Sequence, residues 1–313
     1  PAGLIGASVL SAIEQALTDI LAQDAGLPVY GWLGNHRRAS FPAYANINRA
    51  TTDRSPAGCA ASARNAVTQG YRGVKIAPFD GVCSDDFAAD WTSQRTQIDA
   101  GVERVFAIRE AIGPEVDLMV DCHWRFDEPT ALAVMKELEP VALHWFECPV
   151  SEHLSRWDAL KRLRAAANER GVLLAGAEMQ IGEAGFAPLL TAGLFDVVMP
   201  DVKYAGGYSE MLRIAALAHK HGIACSPHNP TGPICNMASM HLMCGSPHFC
   251  ALEFQVGESS LLFDVVGGVG PKLIDGEFQA PASVAGLGVS LDDAVLAQHP
   301  FAPVGAGLDP RLG

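Results

Sequence analysis

The stretch EVDLMVDCHWRFDEPTALAVMKELEPVALHWFECP, residues 115–149, contains two short apolar runs that each close on an acid, Leu118–Asp121 and Leu143–Glu147. A longer segment separates them, and the same alternation extends outward in both directions. Tyr44–Ile47 and Val74–Ala77 lie upstream; Leu173–Ala177, Val197–Pro200, Ile223–Ser226 and Ala251–Phe254 lie downstream, which makes eight runs between about Phe41 and Phe254. Short apolar runs alternating with longer amphipathic ones are the pattern of parallel strands joined by crossover helices. Leu160–Arg170, Tyr208–His221 and the stretch around Gln94–Ile112 have helical spacing of their apolar residues. Eight parallel strands close into a barrel, whereas an open doubly wound sheet usually has fewer strands and a Gly-rich first turn, which this sequence lacks.

Flanking segments complete the plan. Ser8–Gln23 reads as a strongly amphipathic helix, followed by the turn-rich GLPVYGWLG at Gly26–Gly34. Residues 257–313 are rich in Gly and Pro without a long periodic segment, so they are expected to wrap an existing surface. The expected division is a partial N-terminal cap over 1–38, a barrel over 39–256 and a C-terminal segment, 257–313, that completes the cap.

Composition narrows the class. With 313 residues, 49% hydrophobic and 18% charged, the chain can bury one large core. Its longest apolar runs, such as Val172–Ala177, fall far short of the roughly 18 residues of a spanning helix, and Pro1 to Ser8 lacks a basic region followed by an apolar one. The expectation is a soluble, cytoplasmic protein with no membrane partner. A net charge of −13 would repel a phosphate backbone, which argues against a nucleic-acid partner. The eight cysteines lack paired zinc spacing and read as small buried hydrophobes in a reducing compartment.

The chemistry is written at the ends of the runs. In a parallel barrel the carboxyl ends of all strands converge on one face, so residues distant in sequence meet there. Asp121 ends the third run, Glu147 the fourth, and Glu178 follows the fifth. Their spacing, roughly 30 residues, is one β/α unit. Three carboxylates from neighbouring strands can supply hard oxygen ligands to Mg²⁺ and leave positions open for a substrate. Any one of them alone reads as well as a helix N-cap or first-turn acid. Asp201 ends the sixth run and His228 the seventh, so they should be neighbours. An aspartate bonded to one ring nitrogen fixes the tautomer and raises the basicity of the other, which would make His228 a general base.

Taken together, the helix-and-turn segment SAIEQALTDILAQDAGLPVYGWLG, then VKI, VDCH, FECP, GAE, MPDVKYAGG, SPHNPTGPI and LEFQ resemble, in order, the mandelate racemase-like branch of the enolase superfamily. That resemblance implies a modified TIM barrel with an α+β cap from both chain ends, the N-terminal part being incomplete here. It implies Mg²⁺ on Asp121, Glu147 and Glu178, an acid-base dyad of Asp201 and His228, and a substrate-bonding carboxylate at Glu253. Many members carry Lys-x-Lys on the second strand; here the segment is Lys75-Ile76-Ala77 and the second lysine is missing. Lys75 then binds the substrate carboxylate or reaches the metal-bound oxygen. Lys203, two residues beyond Asp201, is either a substitute group aimed inward by strand alternation or a rim lysine. His123 in Asp121-Cys122-His123 should point the same way as Asp121. In galactonate-type dehydratases, which the pattern resembles, a histidine there protonates the departing 3-hydroxyl; otherwise His123 is a supporting or structural residue.

The expected activity is a hydro-lyase reaction on a sugar acid that yields a 2-keto-3-deoxy acid. The alternatives are a cycloisomerase or epimerase using His228 with Lys75 or Lys203, and a non-catalytic, metal-dependent binder of hydroxy acids. The resemblance also implies a symmetric homo-oligomer.

Overall fold

The structure is a computed structural model; it describes residues 3–34, 37–83, 91–259, 261–268 and 270–300. Eight parallel strands run in chain order: β1 (Ser40–Asn46), β2 (Gly73–Ile76), β3 (Asp117–Asp121), β4 (Trp145–Glu147), β5 (Leu173–Gly176), β6 (Val197–Val198), β7 (Ala224–Cys225) and β8 (Leu252–Gln255). Each of β1 to β6 hydrogen-bonds the next, and β8 returns to pair with β1. An isolated parallel bridge joins Cys225 to Phe249 ahead of β8, and Cys250 N donates to Cys225 O at 2.9 Å, so the two ends of the array meet there.

Helices fill the crossovers: α3 (Pro56–Thr68), α4 (Trp91–Ile112), α5 (Glu128–Glu137), α6 (Trp157–Asn168), α7 (Gly182–Ala192), α8 (Tyr208–Lys220) and α9 (Pro233–Gly245). Their starts follow local chemistry. Ser55 and Asp127 cap α3 and α5 by accepting from Gly58 N and Thr130 N, and a proline follows within the first turn of each helix.

Strand alternation sorts side chains into two cores. Val74, Ile76, Leu118, Val120, Phe146, Leu174, Val198 and Phe254 join the large core shared with the helices. Tyr44, Met119, Trp145, Ala175, Val197 and Met199, from the opposite face of the strands, form a separate small cluster. Outside this array lie α1 (Gly3–Asp24), α2 (Val29–Leu33), α10 (Leu261–Asp264), β9 (Leu273–Ile274), β10 (Glu277–Gln279) and α11 (Asp293–Gln298).

Three features differ from the sequence reading. First, β1 is longer than its apolar run, because its leading half pairs antiparallel with β10 (Phe41 opposite Phe278) while Ala45 and Asn46 face β2. Second, the C-terminal segment contributes a true hairpin. Asp275 (φ 50°) and Gly276 (φ 82°) form its two-residue turn, with both residues in the left-handed region that such turns require.

Third, α1 is not amphipathic in the expected sense. Its buried residues are the small Ala7, Ser11, Thr18 and Ala22, whereas Ile5, Val9, Leu10, Ile13, Leu17 and Ile20 are exposed. Over an 18-residue window its mean hydropathy is 1.4, so by length and composition it could cross a membrane, although no single apolar run in it is long. Polar contacts fasten it to the strand array instead. Glu14 accepts from Tyr208 N at 2.8 Å and Ser209 N at 3.1 Å, capping α8 in place of Gly207, which has no side chain to do so. Ser11 Oγ accepts from Gly206 N at 2.9 Å, and Gln15 donates to Val202 O at 3.3 Å.

Candidate active site

Parallel register brings the acids of the sequence reading together. Asp121 and Glu147 are directly opposite each other, and Glu147 pairs with Ala175 three residues ahead of Glu178. One oxygen from each of Asp121, Glu147 and Glu178 lies within 4.8 Å of the others, and all three residues are buried. The turns that follow the strands are strained. His123, Trp124, Cys148 and Ala177 have φ of 48°, 56°, 44° and 72°, a region that costs a residue with a Cβ about 1–2 kcal/mol. Glu152 holds part of this rim: its carboxylate accepts from Ala177 N at 2.8 Å and Trp124 Nε1 at 3.3 Å.

The dyad also forms. His228 Nδ1 lies 2.8 Å from Asp201 Oδ2, and its Nε2 lies 3.6 Å from Glu178 Oε1. With a carboxylate on Nδ1 that nitrogen carries the hydrogen, which leaves Nε2 to exchange a proton on the cavity side. Burial works against the charged imidazole, but Glu178, the Asp201 bond and Glu253 outweigh it and raise its pKa to about 9.

His123 reaches the same place by another route. β3 ends at Asp121, so the alternation invoked from sequence does not extend to position 123; a left-handed turn folds the ring back, with Nε2 2.8 Å from Asp121 Oδ2. The Asp121 charge, opposed by burial and reinforced by their hydrogen bond, raises the His123 pKa to about 9. Burial opposes ionisation of Asp121, yet the His123 charge and bonds and Lys75 hold its pKa below the usual range. Burial raises Glu147 to about 8 despite Lys75, and raises Glu178 despite His228.

Lys75 is fully buried, with Nζ 2.7 Å from Glu147 Oε1 and 2.7 Å from Glu253 Oε1. It joins Glu147, one of the three converging carboxylates, to the strand-eight acid, and the missing second lysine of the motif has its counterpart in Ala77, which is buried. Glu253 also accepts from Asn46 Nδ2 at 2.7 Å and Asn229 N at 2.9 Å. Burial disfavours its charge, but Lys75, His228 and these bonds lower its pKa. Lys203 lies 3.3 Å from Asp201 Oδ2 and 4.8 Å from the centre of the Tyr204 ring, and its side chain is about a quarter exposed. Here too the strand has ended, at Val198, so a turn aims the lysine inward and alternation does not.

A cavity of about 250 Å³ collects these groups: Asp121, His123, Glu178, Lys203, His228 and Glu253 all line it, and Glu147 lies buried beside them. A larger cavity of about 520 Å³ lies against α1 and shares Lys203 and Tyr204, but its lining is mostly apolar, so the chemistry belongs to the smaller one. Asn46 and Gln255 also line this cavity and Asn229 N bonds Glu253, and the sequence reading named none of the three. The signal was available for Asn46, an amide inside the first apolar run.

The donor set suits a hard divalent cation: three carboxylates converge, and Glu178 Oε2 is buried without a partner among the described residues. Strand-end acids that could hold a metal ion, set beside a His–Asp pair on one rim of a parallel α/β array, define the class as a candidate metal-dependent enzyme. The chain belongs to the enolase superfamily, for the family described as enolase C-terminal domain-like matches residues 58–295. It is 32% identical over 305 residues to a D-galactonate dehydratase of Ralstonia pickettii, covering 95% of this chain and 75% of that protein. A D-galactonate dehydratase of Verminephrobacter eiseniae is 31% identical with the same coverage. Among solved structures, the 3,6-anhydro-D-galactonate cycloisomerase of Zobellia galactanivorans superposes with a TM-score of 0.81 at 27% identity, over 95% of this chain and 76% of that one. A mandelate racemase/muconate lactonizing enzyme of Jannaschia sp. CCS1 gives 0.82 at 27% identity, over 97% and 77%.

Proposed function

We propose that this protein is an acid-sugar dehydratase that removes the proton α to a carboxylate and expels the 3-hydroxyl. The observation that carries the reading is the His228–Asp201 pair, whose second ring nitrogen, Nε2, faces Glu178 in a cavity that also contains His123. The dehydratase relatives support the reaction class. Asp121, Glu147 and Glu178 would hold Mg²⁺, which when bound supplies positive charge to the substrate's carboxylate end.

Each residue then has one task. Asp201 fixes the His228 tautomer, and His228 Nε2 accepts the α-proton as the C–H bond breaks. His123 gives a proton to the 3-hydroxyl as the C–O bond breaks, so water leaves and the resulting enol becomes a keto acid. Lys75 balances the charges of Glu147 and Glu253, and Glu253 and Lys203 bind substrate oxygens. A capped catalytic unit over residues 39–256, a cytoplasmic location and a homo-oligomeric state belong to the same proposal; sedimentation would read the mass.

His228→Asn should abolish exchange of the α-proton with solvent, whereas His123→Asn should keep exchange and lose keto-acid formation. Exchange surviving in His228→Asn would remove His228 from the role. A cycloisomerase or epimerase is the second reading, favoured by the Zobellia structure and by Lys203 at the cavity wall. Products separate the two, because only dehydration gives a keto acid that reacts with semicarbazide.

A further inference from the structure

Gln255 is the last residue of β8 and lies opposite Asn46 in the register. It is two residues beyond Glu253, so both side chains leave the same face of the strand, and both line the 250 Å³ cavity. The residue is 0% exposed, and neither its amide nitrogen nor its amide oxygen has a hydrogen-bond partner among the described residues. Its polar neighbours are committed elsewhere. Asn46 donates to Glu253 and accepts from Asn48 N at 2.9 Å, while Arg49, which lines the same cavity, is paired with Glu258 at 2.9 Å. A buried amide with nothing to bond is costly to keep, and reversing the amide does not help, because both ends lack partners.

We propose that Gln255 is a specificity-determining residue that binds hydroxyl groups of the substrate beyond the reacting carbons. A primary amide presents a donor and an acceptor side by side, and adjacent hydroxyls can meet both at once. A second carboxylate could accept from the N–H₂ but would face the carbonyl oxygen with like polarity. The site is therefore suited to acids whose far end is a pair of adjacent hydroxyls over diacids, whose far end is a second carboxylate. This rests on the sugar-acid reading above, and adds which end of the molecule is read and by what.

The test is calorimetric binding to the Mg²⁺-supplemented protein, using galactonate, the diacid galactarate, and glycerate, which lacks hydroxyls beyond carbon three. Gln255→Leu should weaken galactonate roughly 10- to 100-fold and leave glycerate unchanged. Thermal unfolding of the ligand-free variant should be unchanged or shifted upward, because an unpaired amide has been removed; a merely structural glutamine would lower it. Wild-type protein should prefer galactonate to galactarate. If Gln255→Leu does not fold, Gln255→Glu, which keeps the shape and loses the donor, should show the same selective loss. Galactonate affinity unchanged in the variant, equal weakening of galactonate and glycerate, or wild-type protein that binds no polyhydroxy acid would each overturn the proposal. Wild-type protein that binds galactonate through Gln255 without forming keto acid would instead refute the dehydratase reading alone.

Discussion

His241 should make the stability of this protein fall in mild acid. It lies in α9, stacks on Tyr30 of α2 with ring centroids 5.4 Å apart, accepts from Tyr30 N at 3.1 Å through Nδ1 and reaches Leu287 O at 3.0 Å through Nε2. Only the neutral ring with hydrogen on Nε2 satisfies both bonds. A second proton would sit on Nδ1, facing an N–H donor, and would be buried as a charge. Burial, opposed by the Leu287 bond and the Asp19 charge, therefore holds its pKa down to about 4 against an ordinary 6.5. The unfolded chain takes up this proton more readily, so stability is full above about pH 6.5 and falls as the pH drops toward 4. The full loss is about 3 kcal/mol, of which about 2 is already gone near pH 5. Urea unfolding of wild-type and His241→Asn protein at several pH values isolates the effect. Asn keeps an acceptor for Tyr30 N and loses the Leu287 bond, so it should cost about 1–2 kcal/mol near neutral pH. The gap between the two proteins should close or reverse by about pH 5. A gap that stays constant from neutral pH to about 4.5 would refute the reasoning.

Mg²⁺ at about 100 times its dissociation constant should stabilise the wild-type protein by about 2.7 kcal/mol, seen as a higher melting temperature, and Glu178→Gln should lose most of that shift. Arg109 donates to the carbonyls of Val141 (2.8 Å), Val116 (2.8 Å) and Ala142 (3.2 Å), so Arg109→Met should lower stability by about 2–3 kcal/mol in urea titration. Glu14→Ala should remove the α8 cap at a cost of about 1 kcal/mol, read from the urea midpoint.

The alternation of strands and helices was legible because it depends on side-chain periodicity, and so were the positions of Asp121, Glu147, Glu178, Asp201 and His228, because parallel topology delivers strand ends to one rim. What escaped depends on local backbone geometry or on contacts across the chain. Period-two reasoning put His123 in the cavity for the wrong reason, and left Lys203 open between an inward group and a rim lysine; both follow their strands and arrive by turns. Gln255 escaped because the eighth apolar run ends at Phe254, and whether an amide there is satisfied is visible only in three dimensions. The Asp275-Gly276 turn carried a hairpin signal, but strands of two and three residues are too short to show alternation. The outward-facing side chains of α1 escaped because composition fixes how apolar a helix is and not which side it turns to its neighbours.

The loop between β6 and α8 carries Asp201 and Lys203, yet its backbone is gripped from outside the catalytic rim, by Gln15 at Val202 and Ser11 at Gly206. Anyone transplanting this strand array behind a foreign N-terminal segment should therefore expect Asp201 to drift from His228, even with every cavity-lining side chain left in place. The first helix behaves as a splint for the loop that carries Asp201, and a chimera that discards it would need a replacement brace there.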